Sequence, residues 1–208
     1  MKIINLGHAC YLIKGQNVSV VIDPYRNRSV PNLCLPHIEA NYVLCTHDHY
    51  DHNAKELINI IPTNNKLTYE TIVVPHDHHN GEHRGLNNMY LLNIDGYHVL
   101  HTGDLGCIPH KDVLEKMQNV DIMLAPINGY YTISAKELKD IIDIVHPKVI
   151  IPIHYHKKEN NSGYPDGEQI DAFKDLVKNY LEIDGYEAEV NDKFFDNKAV
   201  IFKKELQE

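Results

Sequence analysis

The stretch His47-Asp48-His49-Tyr50-Asp51-His52 limits what this chain can become more than any other. It sets His47, His49, Asp51 and His52 directly after the apolar run Tyr42-Val43-Leu44-Cys45 and Thr46. Neutral imidazole and carboxylate are ligands for zinc, iron or manganese. If the chain leaves a strand here still extended, His47 and His49 point to one side. Asn53, with Glu56 three residues later, reads as a helix start, which predicts a helix over residues 54–60 and places Asp51 and His52 in the turn before it. One strand-to-helix loop then offers two pairs of ligands aimed differently, which suits two metals better than one. A merely His-rich surface loop is the competing reading, with 15 His in 208 residues, but the spacing speaks against it.

Composition sets the frame. At 208 residues, 43% hydrophobic and 24% charged, the chain is expected to be one globular domain over residues 1–208. No apolar run approaches the ~20 residues of a membrane span. Met1-Lys2-Ile3-Ile4-Asn5 does not open a signal peptide, and Cys10, Cys34, Cys45 and Cys107 are scattered without a C-x-x-C spacing. The cytoplasm is therefore the expected compartment. A net charge of -9 argues against a nucleic-acid partner, which needs a basic face. Oligomerisation is left open.

Apolar runs at 2–6, 10–14 and 18–22, separated by Gly7 and Gly15-Gln16-Asn17, predict strands. Residues 27–40, with Pro31 and Pro36, read as a loop before a strand at 42–45. Further strands are expected at 67–74, 89–94 and 98–101, the last two joined at Asp95-Gly96, and then at 122–125, 149–153, 188–190 and 199–202. Helical patterns fall at 111–118, 135–145 and 168–180. Strands first and alternating strands and helices later point to a layered α/β fold.

Other ligand-type residues stand where strands should end: His76 after Thr71-Ile72-Val73-Val74-Pro75, Asp104 after His101-Thr102-Gly103, and His154 after Val149-Ile150-Ile151-Pro152-Ile153. His78 and His79 compete with His76. A carboxylate such as Asp104 has two oxygens and so can span two cations.

In this order the residues resemble the motifs of the metallo-β-lactamase superfamily: Asp23, then His47, His49, Asp51 and His52, then His76, Asp104 and His154. Gly7-His8-Ala9-Cys10-Tyr11-Leu12-Ile13, Asp23-Pro24-Tyr25, Arg84-Gly85-Leu86-Asn87 and Pro126-Ile127-Asn128-Gly129-Tyr130-Tyr131 are similar to its compact branch. That branch includes L-ascorbate-6-phosphate lactonase. The likeness covers roughly residues 3 to 156, and the C-terminal stretch adds little to it. It implies a four-layer αββα sandwich, two mixed sheets with helices outside. It also implies one metal on His47, His49 and His76, a second on Asp51, His52 and His154, Asp104 between them, and Asp23 behind the ligand loop.

The implied activity is metal-dependent hydrolysis of a lactone, ester or phosphodiester of a small polar metabolite. Two divalent ions are expected, zinc first, with manganese or iron as alternatives. Asp51, Asp104 and His8 are the candidate catalytic residues, and Arg84, Tyr131 and His156 the candidates for substrate contact or ligand support. A nuclease or phosphodiesterase acting on nucleic acid is the first alternative. A non-catalytic metal-binding protein is the second, and it would show the ligands with the pocket beside them plugged.

Overall fold

The structure, a computed structural model, describes residues 1–207. Its strands are β1 (Lys2–Gly7), β2 (Cys10–Lys14), β3 (Ser19–Ile22), β4 (Ile38–Ala40), β5 (Tyr42–Leu44), β6 (Ile58–Ile60), β7 (Thr68–Pro75), β8 (Leu86–Ile94), β9 (Tyr97–His101), β10 (Ile122–Pro126), β11 (Val149–Ile153), β12 (Tyr180–Ile183), β13 (Glu187–Glu189) and β14 (Ala199–Phe202). The helices are α1 (Lys111–Lys116), α2 (Ala135–Val145), α3 (Ile170–Leu176) and α4 (Asp192–Phe195). None is long and apolar enough to cross a membrane.

Two mixed sheets form, a five-stranded one in the order β13-β1-β2-β3-β5 and a seven-stranded one in the order β12-β14-β11-β10-β9-β8-β7. The inner strands β3, β10, β11 and β14 read as near-continuous apolar runs because both faces are buried. Side chains alternate across a strand, so Tyr11, Ile13, Val20 and Ile22 enter the central core between the sheets while Leu12 and Val21 enter an outer one. From the other side Ile122, Leu124, Val149 and Ile151 fill the central core, and Met123, Ala125 and Ile150 face the helices. Burying each such aliphatic side chain stabilises the fold by roughly 1.5–3 kcal/mol. Ile3 and Phe202, from opposite ends of the chain, share the central core.

The expected sandwich is present, with its outer layers made differently on the two sides. Leu114 and Met117 beside α1, Leu138 and Ile141 of α2 and Phe173 of α3 cover the seven-stranded sheet. Over the five-stranded sheet the cover is Tyr25, Val30, Leu33 and Leu35 of the long loop, together with Ile38 and Ile58. Those last two belong to a parallel ribbon of β4 and β6.

The helix expected at 54–60 is not formed. Asn53 gives its side-chain amide to Asp48 Oδ1 (2.7 Å) rather than capping a helix, a single 3₁₀ turn spans Lys55–Leu57, and Ile58-Asn59-Ile60 pairs with β4. β-Branched residues favour that extended ribbon. The helix expected at 168–180 is shorter. Glu168 accepts a hydrogen bond from Ala135 N (2.9 Å) at the start of α2, and Tyr180 opens β12 against β14. β4 also interrupts the loop expected over 27–40. The Asp95-Gly96 turn does join β8 to β9, with φ of 53° and 82° at its two residues, the left-handed pair that a tight hairpin requires.

The site follows from strand direction. β1 and β3 both run antiparallel to β2, and β5 runs parallel to β3, so these three end at the same edge. β7 and β9 both run antiparallel to β8, and β9, β10 and β11 are parallel. The chain beyond the carboxyl ends of β1, β3, β5, β7, β9 and β11 carries His8, Asp23, His47 to His52, His76, Asp104 and His154 respectively. Ligands of open α/β sheets bind at such carboxyl edges.

Candidate metal centre

Asp23 is the foundation. Fully buried at the end of β3 with φ of 53°, it accepts hydrogen bonds from Thr46 N (2.7 Å) and Thr46 Oγ1 (2.8 Å). Its Oδ2 also lies 2.9 Å from His52 Nδ1. This fixes the proton of His52 on Nδ1 and turns Nε2 into the site, the usual way a carboxylate orients a metal-binding imidazole. Burial alone would raise the Asp23 carboxyl, but His52 beside it holds it below its ordinary value.

Asp104 is placed by its neighbours. Asn87, buried on β8, accepts from Asp104 N (2.9 Å) and donates to Thr102 O (2.8 Å). Gly103 has φ of +54°, and a Cβ there would sit 2.6 Å from the Thr46 side chain. Gly106 packs so tightly on the His76–Asp77 backbone that no Cβ fits. Asp104 Oδ2 thereby reaches the middle of the site. It lies 3.3 Å from His52 Nε2, 3.3 Å from His154 Nε2, 3.4 Å from His76 Nε2 and 3.9 Å from His47 Nε2.

His76 enters through a loop folded round Asp77. That carboxylate accepts from the backbone N–H groups of His79 (2.7 Å), Gly81 (2.9 Å), His83 (3.0 Å) and Arg84 (2.8 Å). Burial would raise its carboxyl, but the N–H bonds from Arg84, Gly81, His79 and His83 hold it well below the usual carboxylate range. The structure brings His76 to the centre and leaves His78 and His79 outside. His78 Nε2 meets Glu137 Oε1 at 2.6 Å on the surface, and the His79 ring lies against His83. A depressed carboxyl contributes stability that is present above its unfolded value and is lost only as pH falls through the lower folded one. Asp77→Asn is therefore expected to destabilise the protein at neutral pH by about 1–3 kcal/mol, with amide exchange in residues 77–84 accelerated. Unchanged exchange there would rule out this role for Asp77.

The donor atoms gather in overlapping sets, within each of which they lie no more than 4.8 Å apart: His47, His49 and His76; His47, His52 and Asp104; and His8, Asp51, His52 and His154. His8 approaches Asp51 Oδ2 at 3.2 Å, and its ring lies 3.8 Å from that of His154. The fit to metal ions rests on unpartnered atoms. His47 Nε2, His52 Nε2 and Asp104 Oδ1 are buried without a hydrogen bond, although each such group costs about 1–3 kcal/mol if left unsatisfied. Cations answer that cost, and the all-nitrogen and oxygen set suits zinc, manganese or iron.

Protonation points the same way. Burial pushes His8 down to about 4, with neighbouring His154 adding to the effect, and pushes His47 down to about 3. Both are neutral ligand-type imidazoles. Asp51 and Asp104 stay ionised, since their His neighbours outweigh burial. His52 differs: burial would lower it, but Asp104, Asp51 and Asp23 raise it well above its ordinary value. A cation must displace that proton. Zinc loading at pH 7 is therefore expected to release protons, and zinc affinity to fall as pH falls. Calorimetry in buffers of different ionisation enthalpy checks this; a buffer-independent heat and a flat affinity from pH 8 to 6 would contradict it.

The centre opens on a cleft of about 310 Å³ lined by His49, Asp51, His76, Arg84, Asp104, Tyr131, His154 and Tyr164. Arg84 and Tyr131, the sequence candidates for substrate contact, both line this cleft. His156 does not reach the cleft; its Nδ1 lies 3.1 Å from Ser162 O, tying down the following loop. Tyr164 was missed. Its hydroxyl lies 3.0 Å from Asp51 Oδ2 and 3.0 Å from Ser29 O, and no local pattern around Tyr164 announces this. The C-terminal stretch, which seemed to add little, also supplies Glu205. It pairs with Lys157 at 2.6 Å beside a water-sized cavity behind His8 and His154.

Residues 2–154 match the family model described as the beta-lactamase superfamily domain. A UPF0173 protein of Pyrococcus abyssi is 30% identical over 90% of this chain and 100% of its own length. A UPF0173 metal-dependent hydrolase of Carboxydothermus hydrogenoformans is 28% identical over 75% of this chain and 85% of its own. Among solved structures, a proposed Zn-dependent hydrolase of the metallo-beta-lactamase superfamily from Thermotoga maritima superposes with a TM-score of 0.73 at 27% identity, covering 97% of both chains.

Proposed function

The chain belongs to the beta-lactamase superfamily, and on that premise we propose that it is a metal-dependent hydrolase with two divalent ions in one domain. Its substrate is a lactone, ester or phosphodiester of a small metabolite. Relatives such as the Carboxydothermus protein are described no more narrowly than as metal-dependent hydrolases, and a lactone is one substrate class among the three. The observation that carries the proposal is the pairing of unsatisfied, converging donor atoms with an open cleft. An unplugged cleft beside the ligands favours an enzyme over a non-catalytic metal-binding protein.

His47, His49 and His76 would hold one ion and Asp51, His52 and His154 the other, with Asp104 shared. Bound divalent ions supply an acidified water and positive charge for a substrate oxygen. The chain supplies the rest. Asp23 keeps the proton of His52 on Nδ1, so that Nε2 is free as a donor atom. His8, neutral near pH 7, and the Tyr164 hydroxyl both lie within hydrogen-bonding reach of Asp51 Oδ2. Asp51, ionised and steadied by His8 and Tyr164, would accept the proton that the attacking water gives up and pass it to the leaving oxygen.

The test is elemental analysis of protein purified without chelator, followed by a screen of lactones, esters and phosphodiesters on zinc-, manganese- and iron-loaded samples. Two ions per chain and turnover of one class are expected. A reproducible content of one ion or none after reconstitution would end the dinuclear reading, and two bound ions without turnover of any class would end the hydrolase one.

A further inference from the structure

The cleft has a second wall that the metal chemistry does not use. There the Arg84 guanidinium lies 4.6 Å over the Tyr131 ring. The Tyr131 backbone N–H is held by Asn128 Oδ1 (2.8 Å), and the Tyr131 ring packs 5.2 Å from Tyr164. Arg84 itself is anchored through its backbone N–H to Asp77, which leaves the side chain free of that duty. Several other cations do have carboxylate partners, among them Arg26 with Glu56, Lys157 with Glu205 and Lys174 with Glu182. Arg84, half-buried in a protein of net charge -9, has no ion-pair partner among the described residues.

A stacked guanidinium keeps its N–H edge available in the plane of the ring, and that edge matches two oxygens of a carboxylate or phosphate. The stacking also fixes the side chain in advance, which lowers the entropic cost of binding. We propose that Arg84, on its Tyr131 platform, is a subsite for an anionic group of the substrate, a carboxylate or a phosphate that is not the group cleaved. The substrate is then a small lactone, ester or phosphodiester that carries a further anionic group, with the cleaved bond at the centre and that anion at Arg84. The cleft, of about 310 Å³, is large enough for a small metabolite. This assignment rests on the hydrolase reading for the word substrate, but its binding chemistry does not.

Binding alone tests it. Succinate, phosphonoacetate and the mono-amide succinamate are titrated calorimetrically into the metal-loaded protein and into metal-loaded Arg84→Gln, with metal content measured on each sample. At least one of the two dianions is expected to bind wild type about tenfold or more tightly than succinamate, and Arg84→Gln should erase that preference with metal content and succinamate affinity unchanged. Which dianion is preferred identifies the group. No preference in wild type, or a preference that survives Arg84→Gln, overturns the proposal. Tyr131→Leu, which removes the platform but not the charge, should weaken the preferred dianion as well. A dianion preference in a protein that hydrolyses nothing would sink the hydrolase reading and leave this subsite standing. Turnover of neutral esters without any dianion preference would do the reverse.

Discussion

Asp104→Asn is expected to lower turnover by on the order of 10³-fold or more, equivalent to about 4 kcal/mol of transition-state stabilisation, while leaving the circular dichroism spectrum native. Both halves follow from where the residue sits. Among the described residues its Oδ2 is the one carboxylate oxygen within 3.9 Å of His47, His52, His76 and His154 at once, so in the proposed centre it would set how the two ligand groups are spaced. An amide keeps the shape but loses the charge and half the acceptor capacity. The fold does not depend on that charge. The hydrogen bond that shapes the loop comes from the Asp104 backbone N–H to Asn87, and the sheets are held by apolar cores. Turnover and circular dichroism are measured on one preparation. Native spectra with near-wild-type turnover would remove Asp104 from the centre and the dinuclear mechanism with it.

His76→Ala is expected to abolish measurable hydrolysis and to lower metal content, whereas His78→Ala should spare both. His76 is 1% exposed and belongs to the set with His47 and His49; without it that set loses a third of its donors. His78 is on the surface against Glu137, and an exposed pair of this kind contributes at most about 1 kcal/mol. Metal analysis on all three proteins decides the matter. Loss of metal from His78→Ala with retention in His76→Ala would reverse the assignment and require the Asp77 loop to be built differently.

The sequence by itself determined most of the strand skeleton and showed which ligand-type residues stand at the ends of its strands. Apolar runs such as 10–14 and 149–153, short and bounded by turn residues or a polar loop, read as strands buried on both faces. The motif His47 to His52, and single His or Asp residues at the ends of other such runs, put metal-type ligands at strand ends before any tertiary contact was known. Pattern was decisive there because the signal is local: a period of two, a turn residue, a ligand spacing. Three things were decided only in three dimensions. The segment 54–60 looked helical by its Asn53–Glu56 spacing but became a ribbon strand, since Ile58 and Ile60 found a partner in β4 from some twenty residues earlier. Which of His76, His78 and His79 points to the centre follows from a loop wound by four backbone N–H groups round the Asp77 carboxylate. Tyr164 reached Asp51 across 113 positions of chain. Each depends on a contact between residues far apart in sequence or on the path of a loop, and neither leaves a periodicity to read.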